Sequence, residues 1–138
     1  MDRLIDLGLE SLQLGLLSSD RYYKKPLIIF NSAGLCGFTK QLIEFQEIYE
    51  SAKAVPIALP TNEFGNQEPG DDIEISQFYQ NKYGVTFPIA KKANLNHIVF
   101  EKHGTPSWNF NKYLFDKDHI FVNRFESTVL PKELLNHV

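Results

Sequence analysis

The run Leu27-Ile28-Ile29-Phe30 contains no polar residue, is preceded by Lys24-Lys25-Pro26 and ends in a turn of small residues. A strand wet on one face alternates apolar and polar side chains. One that is apolar at every position is buried on both faces, as the inner strands of layered α/β sheets are. This run therefore demands covering layers above and below a sheet, and excludes a helical bundle or a one-layer sheet. With 138 residues the chain has the size of one domain, residues 1–138, able to bury roughly two-thirds of its surface.

The pattern after the run supplies those layers. Residues 31–38 form the small-residue turn, with Gly34 and Gly37. Leu42, Phe45, Tyr49 and Ala52 then recur at helical spacing, with Thr39 as the expected N-cap. Val55–Leu59 reads as a second buried strand ended by Pro60. Residues 60–71 are turn chemistry throughout. Asp71 or Asp72 can cap a second helix that turns Ile75, Phe78, Tyr79 and Tyr83 inward. Phe87–Ala90 is expected to be extended, because the residue before a proline avoids the helical region. Residues 93–107 give no clear period. Residues 112–116 and 120–125 read as an antiparallel hairpin, and a short helix starts near Pro131. Residues 1–24, with Gly8 and Gly15 among alternating leucines, suggest a hairpin or loosely packed strands. A βαβ unit followed by a ββα unit is the thioredoxin-type core, an α/β fold with one central mixed sheet flanked by helices.

Composition narrows the function. Apolar residues are 43% and charged residues 22%, which is ordinary globular usage and argues against disorder. The net charge of −3, with no basic block, argues against a nucleic-acid partner. No apolar run approaches a membrane span, and the acidic start lacks the order of a signal peptide. A lone cysteine cannot close an internal disulfide, so the chain reads as cytoplasmic. The histidines His97, His103, His119 and His137 show no metal spacing. A Cys36–His103 nucleophile pair would lack an acidic orienter.

In an open sheet of this kind ligands gather at the carboxyl ends of the parallel strands. The loops leaving those ends are 31–38 and 60–71, and an antiparallel strand over 110–116 starts on the same edge. Cys36 from the first loop, Asn62, Gln67 and Glu68 from the second, and the pair Trp108-Asn109 should converge there. Cys36 is expected at or just before the helix N-terminus, where backbone N–H groups favour a thiolate. A thiol of pKa about 8.5 is a few per cent ionised at neutral pH. Lowering it to about 6 ionises most of it, which corresponds to about 3.4 kcal/mol. Gln67 could hold an anion without titrating. Trp108 offers a donor N–H and Asn109 a carboxamide. Each has a purely structural alternative: a buried apolar thiol, a loop-stabilising glutamine, a core-anchoring indole and a turn asparagine.

Three segments resemble one family. Residues 31–39 (Asn-Ser-Ala-Gly-Leu-Cys-Gly-Phe-Thr) are similar to the peroxidatic-cysteine segment of glutathione peroxidases. Residues 62–70 (Asn-Glu-Phe-Gly-Asn-Gln-Glu-Pro-Gly) resemble their glutamine segment, and Trp108-Asn109-Phe110 their tryptophan–asparagine segment. Tyr83–Pro88 and Arg124-Phe125 are also family-like, so the resemblance runs from about residue 25 to the C-terminus. It implies a thioredoxin-like fold and a catalytic tetrad of Cys36, Gln67, Trp108 and Asn109. It also implies reduction of hydrogen peroxide or organic and lipid hydroperoxides with no bound cofactor. Glutathione or a thioredoxin-type protein would be the external thiol.

The chain also departs from the family pattern. Thr61 and Glu63 stand where cysteine and glutamine are frequent, and Tyr79 where thioredoxin-dependent members carry a resolving cysteine. The stretch from Pro88 to Trp108 is short, which implies that a helix and the oligomerisation loop are missing and that the protein is a monomer or weak dimer. The same shortening leaves a second reading, a catalytically weak peroxide sensor or binding module on the same fold.

Overall fold

The computed structural model describes residues 3–138. The central sheet has four strands: β3 (Leu27–Phe30), β4 (Val55–Ala58), β5 (Lys112–Phe115) and β6 (Phe121–Phe125). Their spatial order is β4-β3-β5-β6. β3 and β4 run parallel with Ile29 opposite Ile57, and β5 lies antiparallel to β3 with Ile29 opposite Tyr113. A β-irregularity between Leu114 and Phe115 interrupts the β5–β6 register. The βαβ and ββα units read from the sequence are both present, giving a thioredoxin-like α/β fold with a mixed sheet.

β3 is buried at every position because the sheet is covered on both sides. Leu27 and Ile29 join Val55, Ile57, Tyr113 and Phe115 on one face, under the N-terminal leucines. Ile28 and Phe30 join Ala58 and Leu114 on the other, under α1 (Gln41–Glu50) and α2 (Asp72–Tyr83). Phe30 carries the second face: its ring stacks on Phe45 with centroids 3.9 Å apart and lies 5.7 Å from Phe110. Dispersion gains on this scale are small per atom pair and large over whole rings.

The N-terminal residues form a hairpin, β1 (Glu10–Ser11) with β2 (Gly15–Leu16), between 3-10 helices at Leu4–Leu7 and Ser19–Tyr22. Leu4, Leu7, Leu9 and Leu17 are buried, whereas Leu12, Leu14 and Leu16 are exposed. Asp71 caps α2 with a capping box: its carboxylate accepts from the Glu74 N–H at 2.8 Å, and Glu74 returns the bond at 3.1 Å. The C-terminal helix from Pro131 is a 3-10 helix running to His137.

Two expectations are corrected. α1 starts at Gln41, and Thr39 does not cap it. The Thr39 hydroxyl is drawn into the preceding loop, donating to the Ala33 carbonyl at 2.8 Å and accepting from the Cys36 N–H at 3.0 Å. The segment 93–107 does hold a helix, α3 (Ile98–His103), begun where the His97 ring accepts from the Val99 N–H. Six residues are too few to display a period, yet Val99 and Phe100 must be buried with the leucine cluster, and one helical turn achieves that. Among the described residues no helix is long and apolar enough to cross a membrane.

Candidate active site

The site is built at the carboxyl ends of β3 and β4, and its frame is a set of buried asparagines. Asn31 follows β3 directly. Its Nδ2 donates to the Trp108 carbonyl at 2.8 Å, its Oδ1 accepts from the Asn111 N–H at 2.9 Å, and its own carbonyl accepts from the Phe110 N–H at 2.7 Å. Phe110 sits at φ +62, a left-handed conformation uncommon for a bulky residue. These bonds and the fully buried Phe110 ring hold it there. The next layer is Asn111, whose Nδ2 reaches the Trp108 carbonyl at 3.3 Å and the Ser127 hydroxyl at 3.1 Å. Ser127 in turn donates to the Asn109 carbonyl. The Trp108-Asn109 segment is thereby fixed by its backbone, leaving both side chains for other work.

Of the expected residues, Gln67 and Asn109 meet directly, and Trp108 lies beside them across Gly65. Asn109 is fully buried, and its Nδ2 donates to Gln67 Oε1 at 2.9 Å and to the Phe64 carbonyl at 3.2 Å. A buried Asn109 oxygen, Oδ1, has no hydrogen-bond partner among the described residues. Occupying Gln67 Oε1 in this way sets the orientation of the amide, with Nε2 as its donor end. Gly65, at φ +72, closes the arrangement from below. A Cβ there would lie 3.2 Å from the Trp108 ring and 3.4 Å from Gln67 Nε2, so the glutamine and the indole flank the same bare backbone. Trp108 is 38% exposed and rests against the Phe64 ring at 5.8 Å, which excludes the core-anchor alternative for this indole.

Cys36 joins these three through its loop. The Leu35 N–H donates to the Gln67 carbonyl at 3.0 Å, tying the two loops together next to the cysteine. The thiol is half-buried against the Phe30 side of the core, and its sulfur accepts from the Phe38 N–H at 3.3 Å. It stands five residues ahead of α1, in a tight turn closed by Thr39, not at the helix start as expected. The extra turn forms because the Thr39 hydroxyl satisfies the loop and not the helix.

Beneath the Cys36 loop lies a network that sequence reasoning did not assemble. The Tyr79 hydroxyl, fully buried on α2, bonds Ser32 Oγ at 2.8 Å and the Glu68 carboxylate. Glu68 is 4% exposed, and burial is the main cause pushing its carboxyl above the usual range, opposed by the bond from Tyr79 and by Lys92. Burial also drives the Tyr79 phenol well up, so it remains a donor. Ser32 and Gly34 belong to the Cys36 loop, so this cluster anchors that loop to both α2 and the Gln67 loop. On the far side of the frame, Lys112 is buried and its Nζ donates to the carbonyls of Ser127 (2.8 Å) and Val129 (2.7 Å). Burial lowers its pKa to about 7, against the pull of Glu44 and Glu133. A signal for Asn31 was available, since an asparagine closing a strand buried on both faces must satisfy a chain end. Lys112 gave none, being an ordinary polar residue at a strand start.

Comparison with known proteins decides the family. The glutathione peroxidase family model matches residues 6–112, reaching into the N-terminal hairpin beyond the stretch in which the resemblance was read. The chain belongs to the glutathione peroxidase family. It is 38% identical over 127 residues to "Glutathione peroxidase homolog BsaA" of Bacillus subtilis, covering 80% of this chain and 79% of that one. It is 39% identical over 132 residues to "Glutathione peroxidase-like peroxiredoxin HYR1" of Saccharomyces cerevisiae, covering 83% and 81%. Among solved structures, a Trypanosoma cruzi protein described as GPX1 superposes with a TM-score of 0.71 at 18% identity, over 99% of this chain and 94% of the other. A thioredoxin-like protein from Aeropyrum pernix superposes at 0.70 with 15% identity, over 94% and 88%. At such identities the superpositions speak for the fold. The chain is thus a glutathione peroxidase-like thiol peroxidase, an oxidoreductase on a thioredoxin-like fold.

Proposed function

We propose that this peroxidase reduces hydrogen peroxide or organic and lipid hydroperoxides at Cys36, with Gln67, Trp108 and Asn109 completing the site. The thiolate sulfur attacks one peroxide oxygen, the S–O bond forms as the O–O bond breaks, and the other oxygen leaves as water or alcohol after taking a proton. Cys36 is left as a sulfenic acid. Gln67 Nε2 and the Trp108 N–H stabilise charge developing on sulfur and leaving oxygen. Asn109 holds the glutamine in the orientation this needs. The observation that carries the reading is the 2.9 Å bond from Asn109 to Gln67, made by residues on remote loops beside the Cys36 loop.

The chain has one cysteine, so the second half of the cycle needs outside thiols. One thiol attacks the sulfenic sulfur, releasing water and forming a mixed disulfide. A second displaces Cys36 as thiol and departs as the disulfide. Glutathione or a thioredoxin-type protein fits this role, in the reducing cytoplasm where a lone thiol persists. The short 89–107 segment supports a monomer or weak dimer, which size-exclusion chromatography with light scattering would test.

The test is steady peroxide consumption with glutathione or thioredoxin and their reductases. Many equivalents consumed per protein, and none with Cys36→Ser, are expected. A single equivalent per thiol with either reductant would favour the sensor reading, and an unmodified Cys36 after peroxide exposure would overturn both.

A further inference from the structure

A sizeable cavity lies far from Cys36. It has a volume of about 560 Å³, against about 320 Å³ for the groove beside Leu35 and Phe78. Lys25, which precedes β3, and Val55, the first residue of β4, line it, so it opens at the end of the sheet opposite the Cys36 and Gln67 loops. The N-terminal hairpin roofs it. Ser11 bridges to Ala90, and the Gln13 amide donates to the Ser76 hydroxyl of α2 at 3.2 Å.

The lining has a definite chemistry. Leu14, Tyr49, Val55, Phe87 and Pro88 provide apolar wall. Arg21 and Lys25 are its charged members, and no carboxylate lines it, although acidic residues outnumber basic ones 17 to 14 in the chain. Lys25 spends one proton on the Ala52 carbonyl at 2.9 Å, leaving two. The Arg21 side chain has no ion-pair partner among the described residues. Tyr22, 7% exposed, forms part of the wall, and its hydroxyl, sealed from solvent, has no hydrogen-bond partner among the described residues. Burial raises the Tyr22 phenol to about 12, which keeps it a donor at neutral pH.

We propose that this cavity is a second binding site, distinct from the peroxide site, for a small molecule with one carboxylate and an apolar body. The carboxylate is received by Arg21 and Lys25, and the body lies against Tyr49, Val55 and Phe87.

Isothermal titration at pH 7 with 4-phenylbutyrate, its primary amide and acetate tests this on the full chain. The carboxylate should saturate one site, with the amide and acetate at least tenfold weaker. Arg21→Gln/Lys25→Gln should weaken it at least tenfold. Cys36→Ser should bind undiminished, which separates this site from the peroxide chemistry. No saturation by the carboxylate at millimolar concentration, equal affinity for the amide, or undiminished binding by the double variant would each overturn the proposal.

Discussion

Asn109 Nδ2 lies 2.9 Å from Gln67 Oε1 and 3.2 Å from the Phe64 carbonyl, so one buried amide aims the glutamine and braces its loop. Asn109→Ala leaves both oxygens without this donor and should cost about 1–3 kcal/mol of stability. Peroxide consumption should fall by roughly ten- to a hundredfold, because a misdirected donor loses its transition-state contact. In a Gln67→Ala background the same change should cost little further rate, as expected of two residues acting as a unit. Urea unfolding and peroxide kinetics on the four proteins check this, and additive losses would refute it.

Tyr79→Phe removes the hydroxyl shared by Ser32 and Glu68 without changing the ring. It strands a buried carboxylate beneath the Cys36 loop, so the loss should be about 1–3 kcal/mol. Hydrogen exchange should quicken at the amides of residues 32–36. A variant as stable and as protected as the parent would show that the cluster does not anchor the loop.

Lys112 gives stability a defined pH dependence. Its folded pKa of about 7 lies below the unfolded value of about 10.4, so between these values the unfolded chain binds more protons. Its contribution is therefore present at alkaline pH and lost as pH falls through 7. Urea midpoints measured from pH 6 to 9.5 should rise with pH more steeply in the parent than in Lys112→Met. Parallel curves would contradict the buried cation.

Asp71→Ala deletes the cap of α2 and should cost about 1 kcal/mol, the usual worth of such a cap. Peroxide consumption below the melting transition should be unchanged, since Asp71 touches none of the site residues. Thermal melts and initial rates on the same preparation check both.

The apolar run at Leu27–Phe30 was legible because burial on both faces leaves a plain compositional mark, and the cap at Asp71 because its bonds are local. The convergence of Gln67, Trp108 and Asn109 followed from strand direction alone. The position of Cys36 did not, since the sequence cannot tell whether the Thr39 hydroxyl will cap α1 or close the turn before it. The frame of Asn31, Asn111 and Ser127 was hidden for a related reason: it joins residues up to 96 positions apart (Asn31 and Ser127) through polar side chains that carry no period. α3 was missed because a single turn is too brief to register.

α2 is pinned along its length: Asp71 closes its first turn, Tyr79 is bonded to two neighbouring segments at its middle, and Gly84 ends it at φ +66. A helix secured in this way has little freedom to unwind, and the Cys36 loop, bonded to it through Ser32, is held to the same rigid body.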